Sequence, residues 1–195
     1  MKIDLEHLHY WMSAVRESHD KHRTLDAFWS GQIKSKVWLI DNLSKYVDGQ
    51  VSVDIYGGWV GVLSSLLFQS SISCKHIRSI DIDPSCESIA KTMNKLEEMQ
   101  GRFTAITADM CITGSTADVV INTSCEHLTQ NEYNRWLDQI TDSLIVLQSN
   151  NYEIDEHTRI SRSVEEFQEQ SNISVLFSDT LRLPLYDRYM LIGRR

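Results

Sequence analysis

The residues best suited to chemistry stand in short polar runs that follow apolar ones. Val51-Ser52-Val53-Asp54-Ile55 is β-branched and mostly apolar, and it breaks into Tyr56-Gly57-Gly58-Trp59-Val60-Gly61, with three glycines spaced G-G-x-x-G. Glycine permits the positive φ of a tight turn and leaves the backbone open to a ligand where a side chain would block it, so a nucleotide can lie against this turn. Asp81 comes 24 positions after Gly57, about where an acid meets the ribose hydroxyls of a nucleotide held at such a turn. Asp109 can accept a hydrogen bond from an adenine amino group. Two further runs, Asn122-Thr123-Ser124-Cys125-Glu126-His127 and Ser149-Asn150-Asn151-Tyr152, combine amides, a carboxylate, an imidazole and a phenol. These are groups that bind a polar substrate or move a proton.

The elements that must position these groups follow from periodicity. Residues 5–16 carry Leu5, Leu8, Trp11, Met12 and Val15 at helical spacing, with Asp4 as N-cap. A second helix is expected over residues 25–46, rich in large apolar groups from Phe28 and Trp29 to Leu43. From residue 51 the pattern alternates. Strands are expected at 51–55, 77–82, 103–107, 117–122 and 144–147. Helices are expected at 59–68, at 84–100 between the cap Asp83-Pro84 and Gly101, after the capping box Thr129-x-x-Glu132, and after Ser163-x-x-Glu166. The last two strands, 173–177 and 188–192, have no helical pattern between them and read as an antiparallel pair. The alternation predicts an α/β fold: a seven-stranded, mostly parallel sheet with helices on both faces, a C-terminal antiparallel hairpin, and two N-terminal helices in front. One domain, 1–195, is expected, with 1–48 as a helical cap and 49–195 as the ligand-binding core. Ligands of such sheets sit beyond the carboxyl ends of the strands, where the polar runs fall.

Composition narrows the partners. The net charge of −8 and pI near 5.3 argue against a phosphate-backbone partner, which usually needs a basic face; Lys34-Ser35-Lys36 reads as a solvated helix end. The first twenty residues are studded with charge and no apolar run approaches ~18–20 residues, so a soluble, cytoplasmic protein without membrane contact is expected. Cysteines 74, 86, 111 and 125 form no C-x-x-C and read as reduced core thiols. Among seven histidines, His19-x-x-His22 could share a helix face, but two ligands do not make a metal site, and no metal is expected.

The chain from 51 to 195 resembles the class I S-adenosylmethionine-dependent methyltransferases, a Rossmann-like family. The resemblance rests on four pieces in order: Asp54-Ile55-Tyr56-Gly57-Gly58-Trp59-Val60-Gly61, Ile80-Asp81-Ile82-Asp83-Pro84, Ala108-Asp109-Met110, and the polar loop from Asn122. The closing hairpin looks like the family's sixth and seventh strands. The glycine form differs from the G-x-G-x-x-G of NAD-type enzymes.

The resemblance implies S-adenosylmethionine as cofactor. Tyr56, Gly57, Gly58 and Gly61 would pass beneath its methionine part and Asp54 would orient its amino group. Asp81 with Ile82 would hold the ribose, Asp109 and Met110 would flank the adenine, and Asn122 would open the fourth motif beside it. Enzymes that methylate nucleic-acid bases carry Pro-Pro-aromatic after the acid or Asn of that motif, whereas this chain has Asn122-Thr123-Ser124-Cys125. A small-molecule substrate is therefore expected, with no nucleic acid. Glu126-His127 looks like the Glu-His of many small-molecule methyltransferases. His127 would remove the acceptor's proton, its pKa lying near physiological pH, with Glu126, Asn150 and Tyr152 around the acceptor. N-terminal additions in the family often form a lid, and Trp29, Gln32, Lys34 and Lys36 would serve there. The implied activity is N- or O-methyl transfer to a small polar molecule. The alternatives are another reaction on the same cofactor, such as aminocarboxypropyl transfer, cyclisation or elimination yielding methylthioadenosine, and a non-catalytic cofactor-binding module.

Overall fold

The computed structural model describes residues 4–195. Seven strands, β1 (Gln50–Tyr56), β2 (Ser73–Asp81), β3 (Phe103–Thr107), β4 (Val119–Asn122), β5 (Leu144–Asn150), β6 (Ser174–Arg182) and β7 (Asp187–Arg194), form one sheet in the order β3-β2-β1-β4-β5-β7-β6. The first five are parallel, and β7 runs antiparallel between β5 and β6. Strand order reverses between β1 and β4, which opens a crevice beyond their carboxyl ends.

Side chains alternate across this sheet with period two. Val53 and Ile55 of β1, Leu144 and Val146 of β5, and Met190 and Ile192 of β7 enter one apolar cluster; Tyr56, Ile145, Leu147, Tyr189 and Leu191 enter another on the opposite face. The first cluster is closed by α1 (Leu5–Glu17), α3 (Ser30–Leu43), α4 (Val62–Phe68) and α5 (Pro84–Met93). The second is closed by α7 (Gln130–Leu137) and α8 (Val164–Ser171). Each fully buried Leu or Ile in these layers contributes about 1.5–3 kcal/mol. Asp4, Asp83 and Ser163 cap α1, α5 and α8, and Thr129 with Glu132 closes the capping box of α7.

Several expected elements are cut differently. The helix expected over 25–46 begins only at Ser30, behind the short α2 (Lys21–Asp26). Trp29 is extended there (ψ 144°), and its ring lies so close over Gly31 that a Cβ at that glycine would come within 2.4 Å of it. The helix expected over 84–100 breaks at Asn94, which divides α5 from α6 (Lys95–Met99). The fully buried Asn94 amide donates to the carbonyls of Ala90 (2.9 Å) and Gly61 (3.0 Å), tying the end of α5 to the glycine turn. The pair His19 and His22 does not share a helix, because α2 starts after the cap Asp20. β5 runs three residues past the expected 147, which places Asn150 inside the sheet.

The N-terminal helices are joined to the core by buried polar contacts as well as packing. The Trp11 indole donates to Ser65 Oγ (2.7 Å), and Ser35 Oγ to Gln148 Oε1 (3.0 Å), which lays α3 against the carboxyl half of β5.

Candidate active site

The glycine turn is built for internal packing as much as for openness. Gly57 and Gly61 have φ of 65° and 80°, and Trp59 between them is also left-handed at 48°, a conformation that costs a non-glycine residue roughly 1–2 kcal/mol. Asp81 offsets that strain: its Oδ2 accepts from Trp59 N (2.8 Å), while Gly58 N donates to Ile80 O (3.0 Å). A Cβ on Gly57 would meet Ser124 Oγ at 2.4 Å, and one on Gly58 would meet Ser79 Oγ at 2.0 Å. The turn after β1 is thus pressed against the ends of β2 and β4.

Above it lies a cleft of about 730 Å³, within the range of small-ligand sites. Gly57, Gly58, Trp59, Asp81, Ile82, Asp109 and Met110 line one part. Asp81 Oδ1 also accepts from Asp83 N (3.0 Å). Each carboxylate oxygen therefore holds one backbone N–H and keeps a lone pair, so the pinned carboxylate can accept from two further hydroxyls. Ile82 is 68 % exposed although it lies on the cleft wall, an apolar face suited to a flat ring. Asp109 caps a 3₁₀ turn, its Oδ1 accepting from Cys111 N (2.8 Å).

The other part of the cleft is charged. Glu126 belongs to a 3₁₀ turn after β4 rather than to a full helix. It is 3 % exposed, and its Oε1 accepts from Asn150 Nδ2 (2.7 Å) and Arg188 Nη1 (2.6 Å). Arg188 also donates to Thr123 O. His127 is exposed beside it, with Nδ1 held by Glu156 O (3.1 Å), and its ring meets that of His157 edge-on at 4.8 Å. Gln32, Ser35 and Lys36 of α3 line the same region. Burial pushes the Lys36 amine down to about 7, helped by the charge of Arg188.

Not every residue singled out from the sequence reaches the cleft. Asp54 faces a shallow depression on the far side of β1, where its carboxylate is bound by Arg78 and by Ser115 Oγ (2.5 Å). Strand alternation dictates this, since Ile55 takes the cleft side. The orienting role expected of Asp54 is replaced by an ion pair that holds the Arg78 guanidinium above its ordinary pKa. Tyr56 is buried, its hydroxyl donating to Thr113 O (2.7 Å). Gly61 lies beneath the turn, against Ala90 and Asn94. Asn122 is fully buried, and its Oδ1 accepts from Ser124 N (2.9 Å) to shape the loop after β4. Asn150 donates to Glu126 Oε1 (2.7 Å), and its Oδ1 accepts from Tyr152 N (2.9 Å). The Tyr152 ring stacks on Tyr186 outside the cleft lining. Trp29 folds onto Gly31, and Lys34 is exposed.

Arg188 and His157 were missed. A charge at the head of the apolar run Tyr189-Met190-Leu191-Ile192 was a usable signal for the first, because a buried charge demands a partner. His157 sits in an irregular loop with no pattern to mark it.

No family model matches this chain, and no curated protein matches it. Solved structures do. Magnesium protoporphyrin IX methyltransferase (ChlM) from Synechocystis PCC 6803 with bound SAH superposes with a TM-score of 0.66 at 14% identity, over 98% of this chain and 95% of that one. The pyocyanin biosynthetic protein PhzM gives 0.65 at 16% identity, and mitomycin 7-O-methyltransferase MmcR gives 0.63 at 16%; each match covers 95% of this chain. This chain spans 62% of the length of PhzM and 60% of that of MmcR. The fold is therefore that of the class I S-adenosylmethionine-dependent methyltransferases, as the order of elements and the closing hairpin led one to expect.

Proposed function

We propose that this protein binds S-adenosylmethionine in the cleft and transfers its methyl group to a nitrogen or oxygen of a small polar molecule. The observation that carries the reading is the pinned Asp81 carboxylate, with one free lone pair on each oxygen, between the glycine turn and exposed Ile82. That arrangement suits a ribose diol followed by a flat base. Asp109 and Met110 would border the adenine, and Gly57 and Gly58 would face the methionine part. The cofactor supplies a methyl group already activated on a sulfonium. The chain's remaining task is to bind the acceptor, exclude water and handle the acceptor's proton.

Glu126, His127 and His157 form the acceptor end, with Lys36 beside them as a cation, at and below about pH 7, for an acidic substituent. Residues 1–48 act as a cap, through Gln32, Ser35 and Lys36 of α3. The net charge of −8 supports a small substrate rather than nucleic acid. No helix among the described residues is long and apolar enough to cross a membrane, and none of the four cysteines is paired, which supports a cytoplasmic setting.

Calorimetric titration with S-adenosylmethionine, S-adenosylhomocysteine and NAD tests the reading. The first two should bind and NAD should not. Asp81→Ala removes two charge-assisted hydrogen bonds to the ribose, each worth about 1.5–3 kcal/mol, and should weaken binding by at least about a hundredfold. Failure of the wild-type chain to bind either sulfur compound would overturn it. In turnover, S-adenosylhomocysteine as product indicates methyl transfer, whereas methylthioadenosine indicates attack on the methionine chain.

A further inference from the structure

We propose that Glu126, His127 and His157 bind a divalent first-row transition-metal ion at the acceptor end of the cleft. One donor atom from each of the three lies within 4.8 Å of the others, and all three line the cleft.

The carboxylate supplies the strongest argument. Glu126 is 3 % exposed, and its Oε1 is engaged by Asn150 and Arg188, yet its buried Oε2 has no hydrogen-bond partner. A buried carboxylate oxygen left unpaired costs about 1–3 kcal/mol or more, and a cation removes that cost. The histidines supply the second argument. His127 Nδ1 lies 3.1 Å from Glu156 O, and His157 Nδ1 lies 2.7 Å from Tyr152 O. A carbonyl can only accept, so each Nδ1 carries a proton, and in the neutral ring each Nε2 presents its lone pair. Metal-bound histidines are oriented in this way, the distal N–H donating to a carbonyl or carboxylate.

The backbone holds the two halves of the site together. Glu126 O accepts from Thr158 N (2.9 Å) and Arg159 N (3.0 Å), which anchors the His157 loop directly to Glu126. Metal–ligand distances of about 2.0–2.2 Å require the donors to draw together by roughly 1 Å on binding.

Two neutral imidazoles and one carboxylate favour zinc, iron(II), cobalt(II) or nickel(II) over magnesium or calcium, which prefer all-oxygen sites. Three protein ligands on a cleft wall leave positions open to an oxygen or nitrogen of the acceptor. In the metal-bound chain His127 is a ligand rather than the base expected from the Glu126-His127 sequence. Metal binding at these three side chains does not depend on the cofactor.

The test uses the full chain stripped with a chelator and dialysed. Zinc is titrated against a chromophoric chelator, and cobalt(II) is followed by its visible absorption. One ion per chain should bind, and magnesium at the same concentration should not displace it. His157→Ala and, separately, His127→Ala should each weaken binding at least tenfold with unchanged melting temperatures in the metal-free state. The double variant His19→Ala/His22→Ala should bind as wild type. A stoichiometry well below one, wild-type affinity in both His127→Ala and His157→Ala, or loss confined to the His19→Ala/His22→Ala variant would overturn the proposal. S-adenosylmethionine binding, measured separately on the same samples, distinguishes failure of this site from failure of the functional reading.

Discussion

Replacing Arg188 by methionine should be among the most destabilising single changes available in this chain. Arg188 is 8 % exposed, and its guanidinium donates to Glu126 Oε1 at 2.6 Å and to Thr123 O. Methionine retains much of the apolar stem but none of the charge. Glu126 would then be a buried carboxylate facing only the Asn150 amide, at 2.7 Å. Removing one partner of a buried ion pair costs about 3–5 kcal/mol, whereas replacing both partners by neutral groups of similar volume is often close to neutral. At 195 residues each kcal/mol lowers the melting temperature by about 2–4 °C, so Arg188→Met should lower it by roughly 6–20 °C. The double variant Glu126→Gln/Arg188→Met should recover at least half of the loss, leaving mainly the unpaired Thr123 carbonyl. Urea unfolding at pH 7, with unchanged m-values, gives the double-mutant cycle. A loss below about 1 kcal/mol for Arg188→Met, or strictly additive losses in the double variant, would refute the claim that this pair is buried and coupled.

Two further outcomes follow from the geometry. Gly61→Ala places a Cβ at φ 80° within 2.6 Å of Asn94 Nδ2 and 3.1 Å of Ala90 Cβ, whereas Gly49→Ala, at φ 74°, meets nothing within 4 Å. The first should cost about 2–4 kcal/mol and the second only the left-handed strain of about 1–2; equal losses in urea melts would show that the turn is not packed on Asn94. Lys36, pushed down to about 7 by burial and then by Arg188, carries a charge in the folded state below pH 7 that becomes steadily lost above it, while the unfolded chain keeps its proton to about 10.4. The unfolded state therefore binds more protons between those values, and stability rises with pH by up to about 1.4 kcal/mol per unit. Lys36→Met should be more stable than wild type at pH 6.5, with the gap shrinking by pH 9.5, and a gap that does not change with pH would be the contrary result.

How much of this was legible beforehand depends on range along the chain. The caps at Asp4, Asp83, Thr129 and Ser163 act within three residues of themselves, and all four are observed. The alternation of strand and helix was equally local. It set the carboxyl ends of β2 and β3, and so brought Asp81, Ile82 and Asp109 to the cleft. The misjudged helix limits have long-range causes: the ring of Trp29 laid over Gly31, and an Asn94 amide recruited by Gly61, 33 residues earlier. Asp54 was a different kind of miss. Its neighbour Ile55 takes the cleft side, and strand alternation therefore turns Asp54, with Ser52, to the face away from the cleft.

By itself the sequence determined the element types, their order, and the side of the sheet on which polar runs accumulate. These depend on periodicity and capping, whose energies come from near neighbours. Only the tertiary structure decided which distant groups complete the site. Arg188 reaches Glu126 across 62 positions because β7 lies beside β5, and His157 reaches it because the loop after β5 is anchored on the Glu126 carbonyl. Neither pairing is specified by near neighbours in the chain, because a buried ion pair and a cluster of one carboxylate and two imidazoles form only after the sheet has brought their strands together.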